Sequence, residues 1–170
     1  VKKLGWHPEP ALPNRWPHNT RMERWQGTVK SVCRASMFQS GVPGQAWDAA
    51  GQYSTTALAI SQSAPILPHE RGEDGLPLPG CSKIGMTCWE AHHGVPFGGP
   101  IEPFGRLMYY LDRSGNTLMP PTSAGLFLGW KLSSGMRYRD VLIVGNYDKM
   151  RNGRFDFRSF ISVPVQEVFF

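Results

Sequence analysis

Proline and glycine set the first limits on what this chain can fold into. Pro fixes φ and removes a backbone donor, while Gly loosens the backbone, so both are poor inside a helix or a central strand. The 170 residues include 19 Gly and 15 Pro, a fifth of the chain against a usual share of roughly 12%. Their placement is uneven. Pro8, Pro10, Pro13 and Pro17 keep the opening extended or looped. Residues 62–103 hold seven Pro and seven Gly, a linker-like composition. Residues 20–39, in contrast, contain no proline and only Gly27 among weak helix formers.

Periodicity fills the spaces between these breaks. Met22, Trp25, Val29, Val32, Cys33, Ser36 and Met37 recur at three- and four-residue steps, which predicts an amphipathic helix over 20–39. Trp25, Val29 and Met37 should face inward, and Arg24, Lys30 and Arg34 outward. Asn19 suits its N-cap, and Gly41 with Pro43 stops it. A second helix is expected from Gln45 to about Ser61, with Trp47, Ala50, Tyr53, Ala57, Leu58 and Ile60 on its buried side, so that the pair forms an αα-hairpin. One short helix is expected near 87–93, within the linker. After Pro103 the texture becomes β: Phe104 to Leu111, Gly125 to Leu132, Tyr138 to Gly145, and Phe155 to Val168 broken near Pro164. Four or five short strands suit a small antiparallel SH3-like barrel, with Phe127 and Leu128 on opposite faces. The fold class is therefore α+β: a helical region 1–61, a Pro/Gly-rich linker 62–103 and a β-domain 104–170.

The net charge of +5 and pI near 9.3 are unevenly distributed. Residues 1–40 carry net +5, 41–112 net −4 and 113–170 net +4. Two basic ends flanking an acidic middle permit a polyanionic partner, although a basic surface also serves solubility. Cys33, Cys81 and Cys88 cannot all pair within one chain, which points to a reducing compartment. No apolar run approaches the ~20 residues of a spanning helix, and Val1-Lys2-Lys3-Leu4-Gly5 has no apolar stretch of signal-peptide length. The expectation is an intracellular protein of cytoplasm or nucleus, not secreted and without a membrane partner. The start, which lacks Met and leads into a Pro-rich segment, suggests a piece cut from a longer polypeptide.

On the first helix, Glu23 shares a face with Lys30 and Arg34, seven and eleven residues on, with Arg21 and Arg24 on its shoulders. An acid in a first turn complements the helix dipole, and the cations can be an ordinary solvated face. A second reading comes from the wider segment. Leu12-Pro13-Asn14-Arg15-Trp16-Pro17-His18-Asn19-Thr20-Arg21-Met22-Glu23-Arg24, then Ala35 to Pro43 and Trp47, resembles the end of the integrase core of Ty1/copia-type retrotransposon polyproteins. Downstream, Pro103-Phe104-Gly105, Ser123 to Trp130, Arg137-Tyr138-Arg139 and Val141 to Val144 resemble the SH3-like domain that follows that core.

The resemblance implies an RNase H-like core in which Glu23 is the catalytic glutamate of an Asp, Asp, Glu site. Such carboxylates hold two Mg²⁺ or Mn²⁺ ions, which activate the attacking hydroxyl and stabilise the leaving one. Arg24, Lys30 and Arg34 would be the DNA-facing residues, with Arg137, Arg139, Arg151 and Arg154 as weaker candidates. The chain departs from the pattern in three places. Asn-Gly is replaced by Asn19-Thr20, the Pro17-to-Asn19 spacing is one residue short, and no Asp precedes Glu23, the first being Asp48. A chain with one ligand of three is expected to bind no metal tightly by itself and to be limited to nucleic-acid contact.

Other chemistry has less support. Cys81, Cys88, His92 and His93 give C-x6-C-x3-H-H, whose spacing differs from the usual zinc hairpin. There is no Gly-x-Ser-x-Gly elbow, and Gly94 to Gly99 leads into Pro100 and Pro103 instead of a phosphate-binding helix. Tyr109, Tyr110, Trp130, Tyr138 and Phe157 could stack on bases or fill a core. Two function classes remain: an integrase-derived segment contacting DNA, and a non-catalytic interaction module packing on another segment of a polyprotein or on a partner subunit. They separate on whether Glu23, Lys30 and Arg34 stand open or covered.

Overall fold

A computed structural model describes residues 20–112, 121–153 and 160–170. It is α+β, with a helical N-terminal region and an antiparallel C-terminal sheet. Helix α1 covers Thr20–Ser40 and ends at Gly41, whose φ of +66° is the left-handed turn that glycine adopts without a Cβ clash. A short 3-10 turn at Gly44–Ala46 leads into α2, Trp47–Ser61. Both helices lie where the proline-free, periodic stretches put them. The proposed cap Asn19 lies outside the described residues.

The two Trp side chains depart from expectation. Trp25 is 48% and Trp47 66% exposed. α1, at 21 residues, spans roughly 31 Å, and α2, at 15, roughly 22 Å. Met22 and Trp25 lie in the turns of α1 farthest from the Gly41 connection, while Val29, Cys33 and Met37 are partly buried nearer to it. The packed face is filled by small residues instead: Ala46 of the 3-10 turn and Ala49, Ala50 and Ser54 of α2 are buried. Trp47 meets α1 through its carbonyl, 3.8 Å from Cys33 Sγ, rather than through its ring.

The Pro/Gly segment 62–103 is tied down at both ends. Ala64 N–H donates to Met86 O and Cys88 N–H to Gln62 O, each at 2.9 Å. Lys83 Nζ lies 2.7 Å from Glu70 Oε1 and, by hydrogen bonding, holds that carboxyl below its ordinary range. Helix α3, Cys88–His93, forms because Thr87 and Glu90 complete a capping box and Gly94 (φ +75°) closes it. Phe97, Pro100 and Glu102 then run along α2 and the sheet.

Five strands follow: β1 Leu107–Leu111, β2 Thr122–Ser133, β3 Arg137–Asn146, β4 Phe160–Pro164 and β5 Val168–Phe169. The order is β4-β3-β2-β1-β5, antiparallel throughout. The sheet is open, not the closed barrel expected from strand count. A 3-10 turn at Val165–Glu167 carries the chain from one edge to the other. β1 starts three residues later than expected, because Phe104 is buried in the turn before it. A fourth helix, α4 at Tyr147–Arg151, was not foreseen; Asn146 caps it by accepting from the Lys149 N–H.

Apolar side chains cover both faces of the sheet. Leu128 and Met150 join Val42, Ala46, Ala49, Ala50 and Phe104 in one cluster. Phe127, Trp130, Met108, Tyr110, Leu142, Val144 and Val163 form the other cluster. Phe127 and Leu128 thus lie on opposite faces, as strand alternation requires, and both are buried. A register shift between Phe127 and Gly129 then puts Trp130 on the Phe127 side.

Exposure predicts opposite outcomes for two aromatic truncations. Phe127→Ala should lower unfolding free energy by about 3–5 kcal/mol, the range for a buried aromatic. Trp47→Ala should change it by less than about 0.5 kcal/mol. Urea denaturation followed by circular dichroism measures both, and equal losses would contradict this packing.

Candidate nucleic-acid interface

The open face of α1 is the first candidate. Arg24, Lys30 and Arg34 are exposed, and none makes an ion pair among the described residues. The small polar residues between them are satisfied locally: the Thr28 hydroxyl donates to Arg24 O at 3.1 Å and Ser31 to Gly27 O at 3.0 Å. The three cations are therefore the outward-reaching groups of this face, with Lys30 and Arg34 one turn apart, roughly 6 Å along the axis. Glu23, also exposed, stands two turns before Lys30.

Phe38 is the residue that periodicity arguments passed over. It lies four positions after Arg34, on the same face, and is 93% exposed. Helical spacing alone would have placed it among the cations, since it falls outside the inward series Val29, Cys33 and Met37. The basic face therefore ends in an uncovered aromatic ring.

Metal chemistry does not find its ligands here. Among the described residues no three His, Cys, Asp or Glu side chains converge. One exposed glutamate does not fit an ion that needs several oxygen ligands, so no catalytic step is derived through Mg²⁺ or Mn²⁺. The sulfur and imidazole set is dispersed as well. His93 Nδ1 lies 3.0 Å from Trp89 O and its Nε2 3.2 Å from Met136 O, so both ring nitrogens face carbonyl oxygens. Cys88 Sγ lies 3.5 Å from Ser63 O. Burial pushes the Cys33 thiol up, with Arg34 opposing, which disfavours a thiolate nucleophile.

The weaker arginine candidates are apart in sequence and partly together in space. Arg137 and Arg139 project from the start of β3 and, with Trp89, His93, Tyr138 and Asp140, line a cavity of about 450 Å³. Arg151 is exposed at the end of α4. Arg154 and Phe157 lie outside the described residues. Of the aromatic residues weighed for stacking, Tyr110 and Trp130 are core, 3% and 5% exposed, while Tyr109 is 52% exposed. Tyr138 packs against Phe97 with ring centroids 5.0 Å apart. Its hydroxyl is buried without a hydrogen-bond partner among the described residues.

Burial, reinforced by Asp140, pushes the Tyr138 phenol up to about 12. The protonated phenol is the folded-state form, so its contribution is fully present below the unfolded value near 10 and is lost as pH rises towards 12. Tyr138→Phe removes the orphaned hydroxyl and that ionisation. It should raise stability at pH 7 by about 1 kcal/mol and reduce the loss between pH 10 and 12, both read from urea midpoints. A destabilised variant at pH 7 would reveal a partner for the hydroxyl.

Comparison with protein-family models, with curated proteins and with solved structures gives no match to this chain.

Proposed function

We propose that this chain is the end of a Ty1/copia-type integrase core followed by an SH3-like domain, and that it contacts DNA through α1. The observation that carries the reading is the exposed set Arg24, Lys30 and Arg34, without an ion-pair partner among the described residues. Cations of this kind are solvated in the free protein and gain affinity for a polyanion when phosphate contacts release counterions. The strand order β4-β3-β2-β1-β5, with a 3-10 turn linking the two edges, supports the SH3-like assignment. The contact of α1 with α2 across a short connection supports the hairpin. DNA integration would be the work of the intact protein, in which Glu23 joins further carboxylates around Mg²⁺ or Mn²⁺; this chain supplies one of them.

The second reading is a non-catalytic interaction module, with another segment of a polyprotein or a partner subunit as its partner. It is favoured by Phe38 and Trp47, 93% and 66% exposed, because large exposed apolar rings mark contact surfaces. Titrating a labelled DNA duplex at several salt concentrations separates the two. The DNA reading predicts weak, nearly sequence-independent binding whose log–log salt slope falls by about 2 in the Lys30→Gln, Arg34→Gln double variant, near 0.9 per phosphate. The module reading predicts little binding at moderate salt and no change in slope. Both residues are exposed, so the double variant should keep the wild-type circular dichroism spectrum.

A further inference from the structure

Between α2 and the adjoining face of β2–β4 lies a pocket that the DNA reading does not use. Ala49, Leu128, Ile143 and Phe160 wall it, and the exposed residues Gln52, Lys131 and Ser162 stand at its rim. Leu128 is 1% and Ala49 6% exposed, so the pocket reaches into the core cluster of Leu128, Ala49 and Ala50. Its volume is about 180 Å³. An apolar cavity of about 150 Å³ is enough for one benzene ring, so the volume here suffices for one aromatic ring.

The rim determines the charge of the guest. Lys131 Nζ donates to Ser162 Oγ at 3.0 Å, a neutral acceptor, and among the described residues no carboxylate pairs with the ammonium. No Asp or Glu is among the described residues lining the pocket. Gln52, on the α2 side, adds an amide that can donate. An ammonium beside an apolar pocket favours an anionic group at the mouth and apolar surface inside, because a charge-assisted hydrogen bond is stronger where water is partly excluded.

We propose that this pocket binds a single aromatic ring carrying a carboxylate, the ring between Leu128, Ile143 and Phe160 and the carboxylate at Lys131 Nζ. Two sources share that chemistry: a free arylalkanoic acid, and a polypeptide ending in phenylalanine. The site is independent of the α1 face, and neither depends on the other.

Nuclear magnetic resonance titration of the full chain tests it with 3-phenylpropionate, its primary amide, and acetyl-glycyl-phenylalanine. The acid should bind with Kd of about 0.1–1 mM, as expected for a ligand of this size, and the amide at least about fivefold more weakly. Lys131→Met should erase the difference between acid and amide, while Gln52→Trp, which crowds the rim, should weaken every probe about tenfold. Both substitutions are at exposed positions, and unchanged circular dichroism confirms folding. Tighter binding of the dipeptide than of phenylpropionate assigns the site to a chain terminus and the reverse to a free acid; either sustains the proposal. Equal binding of acid and amide to the parent chain overturns it. So does an acid preference that survives Lys131→Met, or no binding at about 10 mM.

Discussion

The stack of Tyr53 on Trp130 is the contact on which the rest of the structure depends. The rings lie 5.3 Å apart and 11° from parallel, joining α2 to β2. Each also anchors the Pro/Gly segment by its polar end: Trp130 Nε1–H donates to Pro100 O at 2.8 Å, and the Tyr53 hydroxyl to Glu102 O at 3.1 Å. Phe127 meets both rings edge-on, and Phe97 meets Trp130 and Trp89. Aromatic pairs of this kind contribute about 0.5–1.5 kcal/mol each beyond area burial. Two rings with polar tips thereby hold a helix, a strand and a structurally irregular segment in one arrangement.

This arrangement needs a backbone conformation open to glycine where α2 and β2 meet. Gly129, at the register shift in β2, has φ +141°, which L side chains rarely adopt, while the space itself is ordinary: a Cβ there would lie 3.7 Å from Tyr53 Cα. The shift turns the following residue, Trp130, towards Tyr53 and Phe97. Helix packing, strand register and loop anchoring are thus consequences of one local irregularity. Regular alternation would have sent the Trp130 ring to the other face.

Much of the fold was legible in the sequence because local chemistry specified it. The proline-free stretch predicted α1, α3 falls within the short helix expected near 87–93, and the runs Gly125 to Leu132 and Tyr138 to Gly145 marked β2 and β3. What was not legible depended on tertiary neighbours. Trp25 and Trp47 have the spacing of core residues, yet no element among the described residues covers them, while Ala49, Ala50 and Ser54 fill the packed face. Residues 62–103 resemble a linker by composition but serve as mortar, since backbone carbonyls of Pro100 and Glu102 satisfy buried ring donors. At the candidate site, the outward cations followed from helical periodicity. The same spacing puts Phe38 on that face, but an aromatic ring is ordinarily expected to be covered, and only its 93% exposure makes it notable.

The edge-to-edge passage from β4 to β5 has a consequence for how the protein is made. Tyr109 and Phe169 pair although sixty positions separate them, and Phe170 reaches Phe127 while Arg106 lies over its ring. Closing so long a loop costs chain entropy before any contact is made. During vectorial synthesis β1 can meet β2 early, but its other edge stays unpaired until β5, some sixty positions further on, has left the ribosome. A nascent chain therefore carries an open β edge while β2, β3 and β4 are being made, the state in which strands pair with wrong partners.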